Sequence, residues 1–288
     1  MARTFDTVSF LSDLGTDDET VGVVTAVLRD LAPHAVVVHL THHIAPFDVR
    51  AGSIALARSV AYLPAGVVIA CVDPGAGSGR PAVAVEVAGG EGVLLGPDNG
   101  LLAPAVALAG GAERAVLLDR TEVHLAAHGV TMTARDVLAP VAAQLCNGVD
   151  LFELGTPIDA DVLVPGVVPL PRDEAGALVG EVLSIDRFGN CQLNLGPDDL
   201  ADTSRWGERL EVTVGEVTRV AQRVRTFGDV GPGAVGMLVD GAGMLALVLD
   251  RRSAADELSA AAGDQVTLRP LDAAASGVST PVSIRPLG

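Results

Sequence analysis

Between residues 66 and 72 the chain reads Gly-Val-Val-Ile-Ala-Cys-Val, and it then turns sharply on Asp73-Pro74-Gly75. An apolar run of this kind lacks the alternation of a strand that faces water on one side, so it belongs in a sheet covered on both faces. Helices must therefore flank it, and the sequence supplies them. Residues 7–12 are a short β-rich run that stops at Asp13-Leu14-Gly15. Residues 21–31 have helical periodicity ended by Pro33, residues 35–40 form a second strand, and residues 49–62 form a helix closed by Pro64. Residues 81–87 and 92–95 read as a strand pair about Gly89-Gly90, and residues 100–108 and 134–145 as further helical segments. The first half is α/β. Pro157, Pro165, Pro169 and Pro171 then fall in a short acidic stretch that marks a domain edge near residue 170. Beyond it, strand-like pieces at residues 178–185, 191–195, 209–214, 217–220, 237–239, 245–248 and 265–268 predict a smaller, mostly-β domain.

Charge narrows the partners. The 288 residues hold 36 Asp and Glu against 19 Lys and Arg, a formal net charge of -17. No basic stripe is present to hold a phosphate backbone or an anionic membrane surface, so neither nucleic acid nor membrane is expected as a partner. The opening residues have no secretory signal pattern, and charges, Pro or Gly interrupt every apolar run before it reaches membrane-spanning length, which predicts a cytoplasmic protein. Cys71, Cys146 and Cys191 are too few for a disulfide framework and lack metal-ligand spacing. His39, His42 and His43 cluster at the end of the second strand, where histidines are ordinarily structural or solvated, and no metal site is expected.

The informative residues stand where strands end, the place at which open α/β sheets bind ligands. Asp13 suits either a helix cap or a carboxylate that accepts hydrogen bonds from a ribose diol. Asp73 and Arg80 lie across a loop whose Pro74 and glycines permit a tight fold, either as a plain staple or as a pair that orients a water. The loop lacks the pattern of a phosphate-binding loop. Asp98 or Asn99, in Pro97-Asp98-Asn99-Gly100, suits a cap for the helix that follows. Asp186-Arg187-Phe188-Gly189-Asn190 has turn chemistry at Gly189 and Asn190. Phe188 is harder to explain as a turn residue: the chain holds six Phe, one Tyr and one Trp, and a Phe in a polar turn is a candidate for stacking on a ligand ring.

Taken in order, these corners resemble the S-adenosyl-L-methionine (SAM) hydroxide adenosyltransferases, or SAM hydrolases, which are related to the bacterial fluorinase and chlorinase. The resemblance rests on Phe10-Leu11-Ser12-Asp13-Leu14-Gly15, Val38-His39-Leu40-Thr41-His42, Ala45-Pro46-Phe47-Asp48-Val49-Arg50-Ala51-Gly52 and Val72-Asp73-Pro74-Gly75. It continues through Gly96-Pro97-Asp98-Asn99-Gly100-Leu101-Leu102, Ile185-Asp186-Arg187-Phe188-Gly189-Asn190 and Asp250-Arg251-Arg252-Ser253-Ala254-Ala255. It implies an α/β N-terminal domain with a central mostly parallel sheet (1–168), carrying the ribose and water-activating loops. It also implies a C-terminal mostly-β barrel domain (169–288) that binds adenine and the methionine moiety. The implied assembly is a homotrimer with sites at subunit interfaces. The implied reaction is hydrolysis of SAM at ribose C5′ to adenosine and L-methionine, with SAM as substrate and no cofactor.

Residue by residue, the resemblance implies that Asp13 holds the ribose hydroxyls, Phe47 forms an aromatic wall beside them, and Asp18 and Thr20 lie near the ligand. Asp186 would take the methionine ammonium, Phe188 would stack on adenine, Asn190 would bond to its edge, and Arg251 stands where backbone groups read the base. Asp73 and Arg80 match two catalytic positions. The third differs: family hydrolases read Thr-Phe-His-Gly-Arg-Asp where this chain has Thr131-Met132-Thr133-Ala134-Arg135-Asp136, so Thr133 stands in place of the His. Thr cannot titrate near neutral pH but can still bind a water. His124 or His128 would have to reach in if a His is needed. A binding protein of the same fold that holds SAM or adenosine without turnover is the alternative. A SAM-dependent halogenase fits less well, because halogenases carry Tyr-Pro where this chain has Asp73-Pro74, and Asp73 would repel a halide.

Overall fold

The computed structural model describes residues 3–167, 169–202 and 204–271; the expected domain limits at residues 1–2, 168 and 272–288 lie outside them. Two compact units are present, one up to residue 168 and one from residue 169. The first contains β1 (Thr7–Ser12), α1 (Thr20–Leu31), β2 (Val36–Thr41), α2 (Val49–Val60), β3 (Gly66–Cys71), β4 (Ala82–Val87), β5 (Gly92–Pro97), α3 (Ala103–Leu108), β6 (Arg114–Leu117), α4 (Ala139–Cys146) and β7 (Thr156–Ile158). Its seven strands lie in the order β2-β1-β3-β5-β4-β6-β7.

The sheet is mixed, which corrects the expectation of a mostly parallel one. β2, β1, β3 and β5 run parallel, whereas β4 pairs antiparallel with β5 and β6, and β7 antiparallel with β6. For β4 and β5 the cause is connection length. Ala88–Gly90 is a three-residue turn between β4 and β5, and a link that short joins only antiparallel neighbours. β3 is buried along its whole length. Its alternate residues Val67 and Ile69 join Val8, Phe10, Val24, Leu28 and Leu145 in a core under α1 and α4. Val68 and Ala70 join Leu11, Leu56, Ala105 and Val106 on the opposite face, under α2 and α3. Cover on both faces is thus what lets the run dispense with polar residues.

The second unit contains β8 (Arg172–Glu174), β9 (Ala177–Ile185), β10 (Cys191–Leu193), β11 (Arg209–Val214), β12 (Val217–Arg223), β13 (Val235–Val239), β14 (Leu245–Val248), α5 (Ala254–Leu258) and β15 (Gln265–Pro270). The pairing β9-β10-β14-β13-β12-β11-β15 returns to β9 and closes a seven-stranded barrel, with β8 added outside the ring as a hairpin on β9. Closure removes the open sheet edges that would otherwise invite pairing with other chains. Leu193, Leu210, Val212, Met237, Leu247, Leu268 and Trp206 fill the interior. No described helix is long and apolar enough to cross a membrane.

The ends of β1 and β2 are joined by a polar chain that runs from the buried Ser12 and His42 out to His39. Ser12 Oγ is hydrogen-bonded to His42 Nδ1 at 2.8 Å, and His42 Nε2 to His39 Nδ1 at 2.8 Å. The His42 carbonyl accepts the Gly15 N–H at 2.8 Å, and the Phe10 ring meets the His42 ring edge-on at 4.7 Å between centroids. The histidines therefore hold the loop after β1 in place. Burial, and then the neighbouring His39 and His43, lower the His42 pKa from 6.5 to about 4. A base with a depressed folded-state pKa stabilises the fold above its unfolded value and loses that stabilisation as pH falls through the folded value. On going from pH 7 to pH 5, His42 should thus cost the native chain about 2 kcal/mol of stability. His42→Gln should lose that part of the drop when urea unfolding is measured at both pH values; equal drops in the two proteins would refute the assignment.

Candidate active site

In the first unit the site is built from the carboxyl ends of neighbouring parallel strands. The register pairs Ser12 with Cys71, and the Asp13 N–H donates to the Cys71 carbonyl at 3.3 Å. Asp13 and Asp73 thereby leave the sheet side by side. Asp13 does not cap α1. Its Oδ2 accepts the Phe47 N–H at 2.9 Å, a contact that reaches across to the loop before α2. Phe47 is held there with φ +70, a left-handed conformation that costs a non-glycine residue roughly 1–2 kcal/mol. Its ring is 70% exposed. The adjoining Asp48 caps α2 by accepting the Ala51 N–H at 2.8 Å, so Phe47 is fixed on both sides while its ring stays free to meet a ligand.

Asp18 and Thr20 come together at the start of α1. Asp18 Oδ1 accepts the Thr20 N–H at 2.9 Å, and bonds from the Thr20 backbone and hydroxyl lower the Asp18 pKa. Both residues therefore have a structural task of their own at the helix start. Thr16 Oγ1 meets His43 Nε2 at 3.2 Å and fastens the same loop to the end of β2.

Asp73 and Arg80 are brought into direct contact. Arg80 Nη1 donates to Asp73 Oδ1 at 2.9 Å, and the Asp73 side chain is 7% exposed against 31% for Arg80. Asp73 Oδ1 also accepts the Gly75 N–H at 3.0 Å. Arg80 folds back over Gly75 so closely that a Cβ there would lie 3.1 Å from its guanidinium carbon, which explains a glycine at that position. Below the pair, burial first, and then Asp13 and Asp73, push the Cys71 thiol up to about 12. Cys71 therefore stays protonated and is no nucleophile.

Thr133 opens the last helical segment of the unit. Residues Ala134–Leu138 form a π-turn ahead of α4, and Thr133 is the residue before it. Such turns recur at functional sites. Two observations bring this segment to the Asp73 loop: Ala134 and Leu138 share a core cluster with Cys71, and a Cβ on Gly77 would lie 3.1 Å from Val130 and 3.3 Å from Thr131. Thr133 is half-buried. His124 Nε2 is buried without a hydrogen-bond partner among the described residues, and burial lowers its pKa; His128 is exposed. Among the described residues no group of three or more His, Cys, Asp or Glu is placed to hold a metal.

The second unit presents another polar corner, between β9 and β10. Asp186 Oδ1 accepts the N–H groups of Phe188 and Asn190, each at 2.9 Å, and Oδ2 accepts from Asn190 Nδ2 at 2.8 Å. These bonds consume much of the acceptor capacity of Asp186. Gly189, at φ +83, lies against Ser253 so tightly that a Cβ would come within 2.2 Å of its hydroxyl oxygen. The Ala255 N–H donates to the Gly189 carbonyl at 2.9 Å. The corner is thus locked onto the turn that carries Arg251, which has φ +51 and a side chain 91% exposed. Together they frame a cavity of about 440 Å³ lined by Phe188, Asn190, Phe227, Leu249 and residues 250–253. Phe188 is 73% exposed and Phe227 50%. Phe227 was absent from the sequence expectation, although the scarcity argument that singled out Phe188 applies equally to it in Thr226-Phe227-Gly228-Asp229.

Comparison with known proteins covers both units. The N-terminal domain model of the SAM hydroxide adenosyltransferases matches residues 8–155 and the C-terminal domain model residues 180–267. The chain is 41% identical over 259 residues to the (R)-S-adenosyl-L-methionine hydrolase of Salinispora tropica, a span covering 90% of this chain and 96% of that protein. It is 38% identical over 273 residues to the (R)-S-adenosyl-L-methionine hydrolase of Thermus thermophilus, covering 91% and 98%. The solved structure of an uncharacterized conserved protein from Thermotoga maritima matches with a TM-score of 0.83 at 29% identity, over 91% of this chain and 99% of that one. With both units matched and identity sustained along almost the full length of the relatives, the chain belongs to the SAM hydroxide adenosyltransferase family.

Proposed function

We propose that the chain hydrolyses SAM to adenosine and L-methionine by attack of water on ribose C5′. The observation that carries this reading is the Asp73–Arg80 pair, 2.9 Å apart at the end of β3, with Asp13 at the end of the adjacent parallel strand. A carboxylate for a ribose diol then stands beside a buried carboxylate able to hold a water. The (R)-S-adenosyl-L-methionine hydrolases among the relatives support the same substrate.

In the reaction the water oxygen bonds to C5′ while the C5′–S bond breaks and its electron pair passes to sulfur. The sulfonium becomes a neutral thioether, and the proton of the water is released. Because positive charge on sulfur disappears as the transition state forms, tight stabilisation of the sulfonium would slow the step. Alignment of water, C5′ and sulfur is what the site must supply. Asp73 accepts a hydrogen bond from the water, Arg80 fixes the Asp73 carboxylate, and Thr133 offers a hydroxyl to the same water. Asp13 holds the ribose hydroxyls, Phe47 walls the ribose, and Asp18 and Thr20 shape the loop beside it. Asp186 takes the methionine ammonium, Phe188 stacks on adenine with Phe227 in the same cavity, and Asn190 and the Arg251 backbone read the edge of the base. An acidic residue in this position opposes a halide, which argues against halogenation.

The functional unit in this proposal is a homotrimer, with each ligand held between the N-terminal unit of one subunit and the C-terminal unit of its neighbour. The exposure of Phe47 and Phe188, 70% and 73%, supports half-sites that need a partner. A cytoplasmic location belongs to the same proposal, and the three buried free thiols support it.

Incubation of the purified protein with SAM should release adenosine and methionine in equal amounts, independently of halide. Tight binding without product would favour a non-catalytic SAM-binding protein. Asp73→Asn should lower turnover by at least about tenfold with SAM affinity kept within about threefold; full turnover would remove Asp73 from the chemistry. Thr133→His should raise turnover, and no gain would mean that the surrounding pocket is built for the hydroxyl. Asp73→Asn and Phe188→Ala subunits, each impaired alone, should regain activity when unfolded and refolded together, since mixed trimers then contain intact composite sites. Absence of recovery would overturn the shared site.

A further inference from the structure

The corner Pro97-Asp98-Asn99-Gly100 has no part in the site as described so far, and its expected task as a helix cap is not what it performs. α3 begins only at Ala103, and no side chain caps it. Asp98 and Asn99 instead reach sideways. β5 lies between β3 and β4 in the sheet, so the residues that follow it emerge between the strand that leads into the Asp73–Arg80 loop and the strand that leads out.

Both stems of that loop are gripped there. Asn99 Nδ2 donates to the Val72 carbonyl at 2.9 Å, directly before Asp73. The Asp98 N–H donates to the Pro81 carbonyl at 2.9 Å, directly after Arg80. The corner is itself anchored, because Asp98 Oδ1 accepts the Val164 N–H at 2.8 Å and Asn99 Oδ1 accepts the Leu101 N–H at 3.1 Å. Within the loop the backbone bonds are local, from Ala76 to Asp73 and from Ser78 to Gly75; none of these two spans the loop from stem to stem. The 2.9 Å contact between Asp73 and Arg80 therefore depends on how the stems are spaced, and the Asp98–Asn99 corner sets that spacing.

We infer that Asn99 is a positioning residue for the Asp73–Arg80 pair: its amide, with the Asp98 backbone, clamps the two stems of the loop so that the carboxylate and guanidinium meet in the geometry that orients the attacking water. The inference rests on the hydrolase reading above for its effect on turnover. Its structural content, the dependence of the ion pair on the clamp, stands apart from that reading. Small displacements of a positioned group are costly in rate, so loss of the clamp shows in turnover more than in binding.

Asn99→Asp replaces the donor to Val72 with an acceptor, and Asn99→Ser draws it back by shortening the side chain, while both keep an oxygen for the Leu101 N–H. Each should lower kcat for SAM hydrolysis by at least about tenfold with KM within about threefold. Neither should add appreciably to the loss already caused by Asp73→Asn, because a residue that acts through Asp73 has nothing left to position. Unchanged kcat, a rise in KM alone, or losses that multiply in the Asp73→Asn background would each overturn the inference. The Arg80 guanidinium NMR signal, followed in the same proteins, should show slow rotation in the native chain and faster rotation in both Asn99 variants. An unaltered Arg80 signal would overturn the clamp whether or not SAM is turned over. If the native chain releases no adenosine but the Arg80 signal responds as expected, the hydrolase reading fails and the clamp survives.

Discussion

The parallel pairing of β1 with β3 is the constraint from which the polar corner of the N-terminal unit follows. Its register sets Ser12 against Cys71, so Asp13 and Asp73 leave adjacent strands at the same edge of the sheet. Two carboxylates there would repel each other in a dry setting. The structure relieves this locally: Asp13 accepts the Phe47 N–H, and Asp73 accepts from Arg80 and from the Gly75 N–H. The electrostatic pressure is felt by Cys71 beneath them, whose thiol is pushed up to about 12 chiefly by burial and then by both carboxylates. A cationic sulfonium is a compatible ligand for such an edge and a halide is not, as the proposed reaction requires.

How much of this was legible in the sequence varied with the kind of signal. The unbroken run before Asp73 announced a strand covered on both faces, and the helices on either side of the sheet follow from it. The antiparallel side of that sheet was less visible. β6 is four residues long and β7 is three with Pro157 at its centre, too short for any periodicity to declare itself, and without them the sheet reads as parallel. The helix expected from residue 100 begins instead at Ala103. The Asp98–Asn99 side chains, which suit a cap by local chemistry, are engaged with Val164 and Val72, partners far away in sequence that no local pattern encodes. Phe227 is the opposite case: the scarcity of aromatics pointed to it as clearly as to Phe188, and only the cavity lining shows that they share one recess.

The two polar corners differ in how they are held. In the first unit, polar groups from different strands fix one another across the sheet edge, through the Ser12–His42–His39 chain and the Asp73–Arg80 pair. In the second, one five-residue corner satisfies its own hydrogen bonds around Asp186 and is locked against Ser253 at Gly189. The first arrangement suits groups that must keep a fixed distance to reacting atoms; the second suits a platform that presents an aromatic face and a base-reading amide. This division matches the roles proposed for them, with chemistry in the α/β unit and recognition in the barrel.

Thr133 gains a physical rationale from the proposed reaction itself. Methionine departs from a sulfonium as a neutral thioether, so the leaving group needs no proton and the site needs no general acid to supply one. What the third member of the catalytic set must provide is a hydrogen bond that, with Asp73, fixes the direction of the water toward C5′. A hydroxyl can do that, though less strongly than an imidazole, provided that its backbone is placed correctly. The π-turn that begins just after Thr133 and the packing of Ala134 in the same core as Cys71 place it beside the Asp73 loop. Activity would then be sensitive to geometry at Thr133 more than to its lack of a titratable group, which is why substituting His there tests the pocket and not only the residue.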